Sequence, residues 1–520
     1  MVDVKKLPLD IKIGQMIMAG FPSKYYDGNM EELIEAEKIG NFILFADNMG
    51  NKNEVMELTR SIQKKLEECI GISGIISTDQ EGGMVTRVRE GVTVFSSNMA
   101  FAAANEYKST FKEGKIVGEE LRSLGINMNI APVMDVNCNP KNPVIGCRSY
   151  GDDPESVSKL GIELIKGLKE KGVIAVAKHF PGHGDTSMDS HLSLPVVNHD
   201  IKRLQEVELL PFKNAIAEGA DAIMSAHVLF PKVEPDKVPA TLSNKVLTGL
   251  LKNKMGFKGL IVTDCMEMKA IADFYGSDKA AVKAIIAGAD LICISHSKEV
   301  QKKCVKAIKA AVLNGQISEE RIDQSVKKIL QIKGKYNIDC NLERNSSSKD
   351  NKAFAEKISS KSITILKDNR NLIPLKGKVV SISTRAVALT GAEDKIKTEN
   401  SFCHRLNSVC KGHEFEIPMN PGDDLIKGIL EKCSEADRIV IGIYNASVNK
   451  NQIKLVEEIS KVNPNIILVS LRNPYDILSF KEISTYVNAY EYTELSIKST
   501  IKVLKGEIKA EGISPVKICM

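Results

Sequence analysis

Residues 178–195 read KHFPGHGDTSMDSHLSLP and gather three of the chain's eight histidines with Lys178, Asp185 and Asp189. Two chemistries use such a set. Imidazoles and carboxylates at close spacing could ligate a metal, or they could hold a sugar and pass it a proton. Pro181, Gly182 and Gly184 forbid a regular helix, so these side chains are presented from a loop. Metal signatures such as HExxH use one helical face to align two imidazoles, and that spacing is absent here. No bound metal or other cofactor is therefore expected, and a metal-dependent barrel hydrolase stays as a rival that chelation would test. For proton transfer the set is apt: a carboxylate accepting the Nδ1 proton of an imidazole fixes its tautomer and favours its charged form. Asp189 and His191 flank one serine, close enough to pair in a turn.

Such a loop needs a frame. Short apolar, β-branched runs alternate with amphipathic stretches, the pattern of βα units on a parallel sheet. Eight strands are expected, at 13–21, 41–46, 73–79, 126–136, 173–180, 221–228, 260–266 and 289–296. Asp79, Asp135, Lys178, His179, His227, Asp264 and His296 each end or just follow one of these runs. In a (β/α)8 barrel the strand carboxyl ends build the active site. A barrel is therefore expected over residues 1–336, with a polar, Ser-rich linker at 337–352. Residues 353–520 follow as a smaller three-layer α/β sandwich, with strands at 362–368, 378–384, 437–445, 465–472 and 484–490. Residues 385–436 carry no readable pattern.

Composition bounds the partners. The chain has 520 residues, more than one hydrophobic core usually serves, so two domains are expected. Its 71 basic and 66 acidic residues are interleaved, which argues against nucleic acid as a partner. No apolar run reaches the roughly 20 residues that span a bilayer, and the amino terminus lacks the continuous apolar core of a secretory signal. The 11 cysteines form no CxxC pair and sit mostly in apolar runs, so reduced thiols and a cytoplasmic setting are expected. Trp is absent, which suits a small pocket better than a long aromatic groove. Nothing in the sequence decides self-association either way.

Four ordered motifs carry a resemblance. KHFPGHGDTSMDSHLSLP, STDQEGGMVTRV (77–88), APVMDVNCNPKNPVIGCRSYGDDP (131–154) and VTDCMEMKAI (262–271) resemble the signatures of family 3 glycoside hydrolases, in particular the β-N-acetylglucosaminidase branch. The likeness runs from about residue 8 to 336, and SITILKDNRNLIPL (362–375) resembles the start of that family's second domain. Carried over residue by residue, it implies that Asp264 is a nucleophile forming a covalent glycosyl-enzyme, and that His191 is the acid/base with Asp189 as its partner. It further implies that Asp79, Arg87, Arg148, Lys178 and His179 hold the sugar, whereas the motif leaves His227 unassigned. Arg148 and Lys178 are expected to keep Asp264 ionised. Gly182 and Gly184 are expected to let the His191 loop move, and Cys265 to face the core by strand alternation.

The activity this implies is retaining exo-cleavage of terminal β-linked GlcNAc from peptidoglycan-derived disaccharides or muropeptides, a small carbohydrate partner. Three alternatives stand beside it: a phosphorylase, because an imidazole acid/base repels an incoming phosphate less than a carboxylate would; another family 3 glycosidase such as a β-glucosidase; and a catalytically silent sugar-binding protein. Two departures from the family pattern bear on pocket shape. Met84 stands where many relatives have a basic residue, and Cys147 where the residue is often acidic.

Overall fold

The computed structural model describes residues 3–338, 348–394, 401–410 and 412–518. Ten strands precede residue 338: β1 (Ile17–Ala19), β2 (Asn41–Leu44), β3 (Ile75–Thr78), β4 (Gln80–Gly82), β5 (Val85–Thr86), β6 (Met128–Asn129), β7 (Ile174–Phe180), β8 (Ala222–Ser225), β9 (Leu260–Thr263) and β10 (Ile292–Ile294). Eight form one parallel sheet in the order β10-β1-β2-β3-β6-β7-β8-β9, while β4 and β5 make a small hairpin on the connection after β3. A parallel bridge between Val262 and Leu291 brings β9 beside β10, so the sheet closes into a barrel. Every residue of β7 is buried, as a strand covered on both faces requires.

Helices fill the connections, and their ends are written in local chemistry. Asn51 and Glu54 form a reciprocal capping box at the start of helix Lys52–Ile70, which stops at Gly71 with φ +70°. Asp153 caps helix Pro154–Glu170, whose first residue is proline. The first expected strand was drawn too long. Residues Leu9–Gln15 are helical because the run's apolar residues there face one side at helical spacing, and only Ile17–Ala19 joins the sheet.

The second sheet contains β11 (Thr364–Asp368), β12 (Val379–Thr384), β13 (Gly412–Ile417), β14 (Arg438–Ile443), β15 (Ile466–Ser470) and β16 (Thr485–Asn488). Its order is β11-β16-β15-β14-β12-β13, parallel except for β11 against β16. Strand β13 lies in the stretch that gave no pattern. It is an edge strand, GHEFEI, whose glutamates are exposed and whose single fully buried residue is Ile417, so no apolar run marks it. Of the stretch expected to be a linker, 339–347 lie outside the described residues, and helix Lys349–Ser362 begins within its remainder.

The second sheet's unit is locked onto the barrel. The Tyr475 hydroxyl donates to the Asn137 carbonyl at 2.9 Å, and the Lys517 N–H donates to Asp152 Oδ2 at 2.6 Å. Glu491, just after β16, accepts the Ser97 N–H at 2.6 Å. Met84 and Cys147 face this contact: Met84 packs in a core shared with Leu372 and Tyr492, and Cys147 packs beside Tyr475 and Tyr490. The two departures from the family pattern therefore shape the junction between the units more than the pocket.

Burial pushes the Glu491 carboxyl up to about 7. The folded protein keeps that proton across a window, from about pH 4 upward, in which the unfolded chain has released it. This contribution to stability is therefore present at acidic pH and lost as pH rises toward about 7. Glu491→Gln is expected to flatten the trend by up to a few kcal/mol, read as unfolding midpoints between pH 5 and 8.

Candidate active site

At the carboxyl ends of the barrel strands lies a cavity of about 550 Å³. Its walls include Asp79, Arg87, Arg148, Lys178, His179, His191 and Asp264. Of the eight residues to which the family resemblance gave a role, all reach it except Asp189, which stands behind His191; Asp135 and His227, also at strand ends, do not line it. The walls also include Gly391, Ala392, Glu393 and Asp394, from the unit beyond the barrel.

The basic residues are held by a buried chain of charges. Arg148 donates two parallel hydrogen bonds to Glu81, Nε to Oε2 and Nη2 to Oε1, both at 2.8 Å. Lys178 Nζ bridges Glu81 Oε1 at 2.6 Å and Asp79 Oδ1 at 2.7 Å. Arg87 lies 3.8 Å from Asp79, pairs with Asp394, and donates to the Ala392 carbonyl at 2.9 Å. Burial alone would push the Glu81 carboxyl up, but Arg148 and Lys178 outweigh it and hold Glu81 well below the usual carboxylate range. The sequence offered Glu81 only as a surface ion-pair partner of Arg87 or Arg148; the pair with Arg148 forms, but buried in the site wall. Asp394 had no signal, because it lies in a stretch without pattern.

The histidines divide by partner. The Asp135 carboxylate takes His179 Nδ1 at 2.7 Å and the His183 N–H at 2.6 Å, which leaves His179 Nε2 for the cavity. His183 is enclosed, with Nδ1 2.8 Å from Thr186 and Nε2 3.0 Å from Ser190. His191 Nδ1 meets Asp189 Oδ1 at 2.7 Å, and the His191 N–H reaches the same oxygen at 2.9 Å. Burial pushes the Asp189 carboxyl up, but these contacts to His191 more than reverse it and keep Asp189 ionised. Its second oxygen, Oδ2, is buried without a hydrogen-bond partner.

Asp264 directly follows β9, and its Oδ1 accepts the Cys265 N–H at 2.8 Å. Burial opposes its ionisation. The imidazoles of His227, His179 and His191, with that N–H, overcome burial and hold the carboxyl at about 2. Arg148 and Lys178 were expected to do this, but their charges are taken up by Glu81 and Asp79. The glycines also sit in close contacts. A Cβ on Gly184 would lie 1.8 Å from the Val136 carbonyl, and Gly182 has φ +134° against Glu208, so neither position has room for a side chain. Gly391 is also pressed close: a Cβ there would lie 2.6 Å from His191 Cδ2. Cys265, expected to face the core, does pack in it and also borders the cavity, as do Cys293 and His296.

Outside the cavity, Cys138, Asp185 and Glu208 bring metal-ligand types within 4.8 Å of one another. Arg203 already donates to Glu208 at 2.7 Å, and His199 lies 2.5 Å from Asp185, so the cluster's charge is met by protein groups.

A sequence model described as the glycosyl hydrolase family 3 N terminal domain matches residues 8–332. The chain belongs to glycosyl hydrolase family 3. A solved family 3 β-N-acetylglucosaminidase from Paenibacillus sp. str. FPU-7 is 40% identical, covers 98% of this chain and 99% of its own, and superposes with a TM-score of 0.93. Among curated family relatives, the β-hexosaminidase A of Pseudoalteromonas piscicida is 36% identical over 59% of this chain, a match that spans 55% of its own length. The β-N-acetylglucosaminidase/β-glucosidase of Cellulomonas fimi is 26% identical over 85% of this chain and 83% of its own.

Burial is the main reason that the His183 imidazole is lowered to about 4. An unfolded histidine takes up its proton near pH 6.5, so between there and about 4 the unfolded chain binds a proton that the folded one refuses. Stability from this residue is present above that window and lost as pH falls through it. NMR titration of the ring nitrogens is expected to place the His183 midpoint more than one unit below that of a free histidine; a midpoint near 6.5 would contradict this packing.

Proposed function

We propose that this family 3 enzyme is a retaining exo-β-N-acetylglucosaminidase that releases terminal β-linked GlcNAc from peptidoglycan-derived disaccharides or muropeptides. The observation that carries the mechanism is the presence, in one cavity, of a carboxylate held ionised and an imidazole backed by a buried carboxylate. Asp264 attacks the anomeric carbon while His191, protonated on both nitrogens, donates from Nε2 to the departing oxygen and keeps Nδ1–H on Asp189. The neutral His191 then takes a proton from water, which attacks the glycosyl-Asp264 ester and releases the sugar with its configuration retained. Asp79, Lys178, Arg148, Arg87 and His179 supply the hydrogen bonds that orient the ring; Glu81 positions Arg148 and Lys178, and Asp135 positions His179, without needing to touch the sugar.

The choice of sugar is supported by the names of the Paenibacillus, Pseudoalteromonas and Cellulomonas relatives. Exo-cleavage is supported by the loop 391–394, which lines one side of the cavity. We assign catalysis to residues 1–336 and this loop to the unit 353–520, joined through 337–352. An intracellular, reducing setting is supported by the nine described cysteines, all of them free thiols, and co-fractionation with a cytosolic marker tests it. A sugar-binding protein without turnover would not need both Asp264 and His191.

Asp264→Asn is expected to abolish turnover of an aryl β-N-acetylglucosaminide, by a factor of about 10⁴ or more, while sparing sugar binding measured by calorimetry. Wild-type turnover in that variant would overturn the mechanism. NMR of the first-formed product separates retention from inversion, and comparing aryl glycosides of GlcNAc, glucose and xylose tests the sugar. Equal rates of free sugar release with and without phosphate would remove phosphorolysis. Gly391→Val, whose side chain would push on the His191 ring, is expected to lower kcat by about tenfold or more with an unchanged circular dichroism spectrum.

A further inference from the structure

Beside the proposed nucleophile the cavity wall holds two cysteines that the mechanism does not use. Cys293 lies in β10, and the Met266 N–H donates to its carbonyl at 2.9 Å, so the chain at Cys265 runs directly alongside it. Neighbours joined in this way fall within the Cα separation of about 4.4–6.8 Å that a disulfide spans. The two thiols interact with one another, and the His296 imidazole interacts with Cys265. The Glu267 N–H also donates to Cys265 Sγ at 3.4 Å, while Cys293 Sγ sits 3.0 Å from Ser295 Oγ. The contact with Cys293, followed by that with His296, pulls the Cys265 thiol well below its ordinary range and pushes Cys293 up. An imidazole and an N–H around a sulfur facing a cavity are what make a thiolate reactive, and a second thiol beside it can resolve the oxidised product.

We propose that Cys265 and Cys293 are a peroxide-sensitive thiol pair whose disulfide disables the neighbouring Asp264. The Cys265 thiolate attacks the terminal oxygen of a hydroperoxide, forming an S–O bond as the O–O bond breaks. The departing alkoxide or hydroxide takes a proton from the His296 imidazolium and leaves as alcohol or water. The Cys293 thiol then attacks the sulfenic sulfur, the S–O bond breaks, and water leaves with the Cys293 proton. Two thiols are oxidised and one hydroperoxide is reduced. Cys265 is 8% exposed, reached through the sugar pocket, so small hydroperoxides are the fitting oxidants and a bound sugar should shield it. The link to turnover is the Cys265 N–H that donates to Asp264 Oδ1: drawing the sulfur toward Cys293 turns that peptide and shifts the carboxylate.

The effect on turnover rests on the reading of Asp264 as nucleophile, whereas the disulfide does not. The experiment treats the full-length protein with hydrogen peroxide, maps non-reduced peptides by mass spectrometry, and assays hydrolysis before and after dithiothreitol. The expected result is a cross-linked Cys265–Cys293 peptide and a loss of activity of at least about tenfold that reduction restores. Cys293→Ser is expected to keep the untreated rate, form no cross-link and lose activity irreversibly as Cys265 proceeds to sulfinic acid. Absence of the cross-link in the oxidised wild type overturns the pair, whatever the role of Asp264. A cross-link with undiminished turnover overturns the switch, and so does a reversible loss that persists in Cys293→Ser.

Discussion

The active-site region depends on one buried run of alternating charge: Arg148, Glu81, Lys178, Asp79, Arg87 and Asp394. Lys178 and Arg87 each lie between two carboxylates and Arg148 ends the run on Glu81, and in a weakly screened interior an unpaired member would be costly. Removing one partner of such a pair typically costs about 3–5 kcal/mol, far more than an exposed ion pair contributes. The run starts on the loop before helix Pro154–Glu170, crosses the ends of β3 and β7, and finishes on Asp394 beyond the barrel. The pocket and the junction between the two units are therefore one electrostatic structure.

That coupling explains the division of labour among the polar groups. Arg148 and Lys178 are spent on Glu81 and Asp79, so their charges are not what holds Asp264 ionised. The imidazoles around Asp264 have that task. They can do so because Asp135 and Asp189 each hold the Nδ1 side of one ring, His179 and His191 respectively. A histidine acid/base needs such a carboxylate, since the proton it gives at Nε2 must be matched by a fixed proton at Nδ1. The closely packed glycines of the 181–195 loop are part of the same logic: they bring backbone against Val136 and Glu208 while His191 faces the cavity.

Much of this was legible in residue order. The alternating apolar runs mark eight barrel strands, each containing the strand found, although the fourth, expected over 126–136, is only Met128–Asn129; fully buried parallel strands require continuous apolar sequence. Asp79, Lys178, His179 and Asp264 were legible as polar residues because strand carboxyl ends place such side chains where a barrel builds its site, whereas Arg87 and Arg148 were marked only by the family resemblance. Strand β13 was illegible for the opposite reason, since an edge strand with a solvated face needs no apolar run.

By itself the sequence determined the barrel, the type of the second unit, and which residue types meet at the strand ends, since these follow from local periodicity and backbone chemistry. Only the tertiary structure decided which charge answers which. Glu81 rather than Asp264 receives Arg148, Asp394 reaches Arg87 from some 300 residues away, Gly391 presses on His191, and Cys265 borders the cavity beside Cys293. Pairing depends on distance in space and on desolvation, and neither is written in the spacing of residues along the chain.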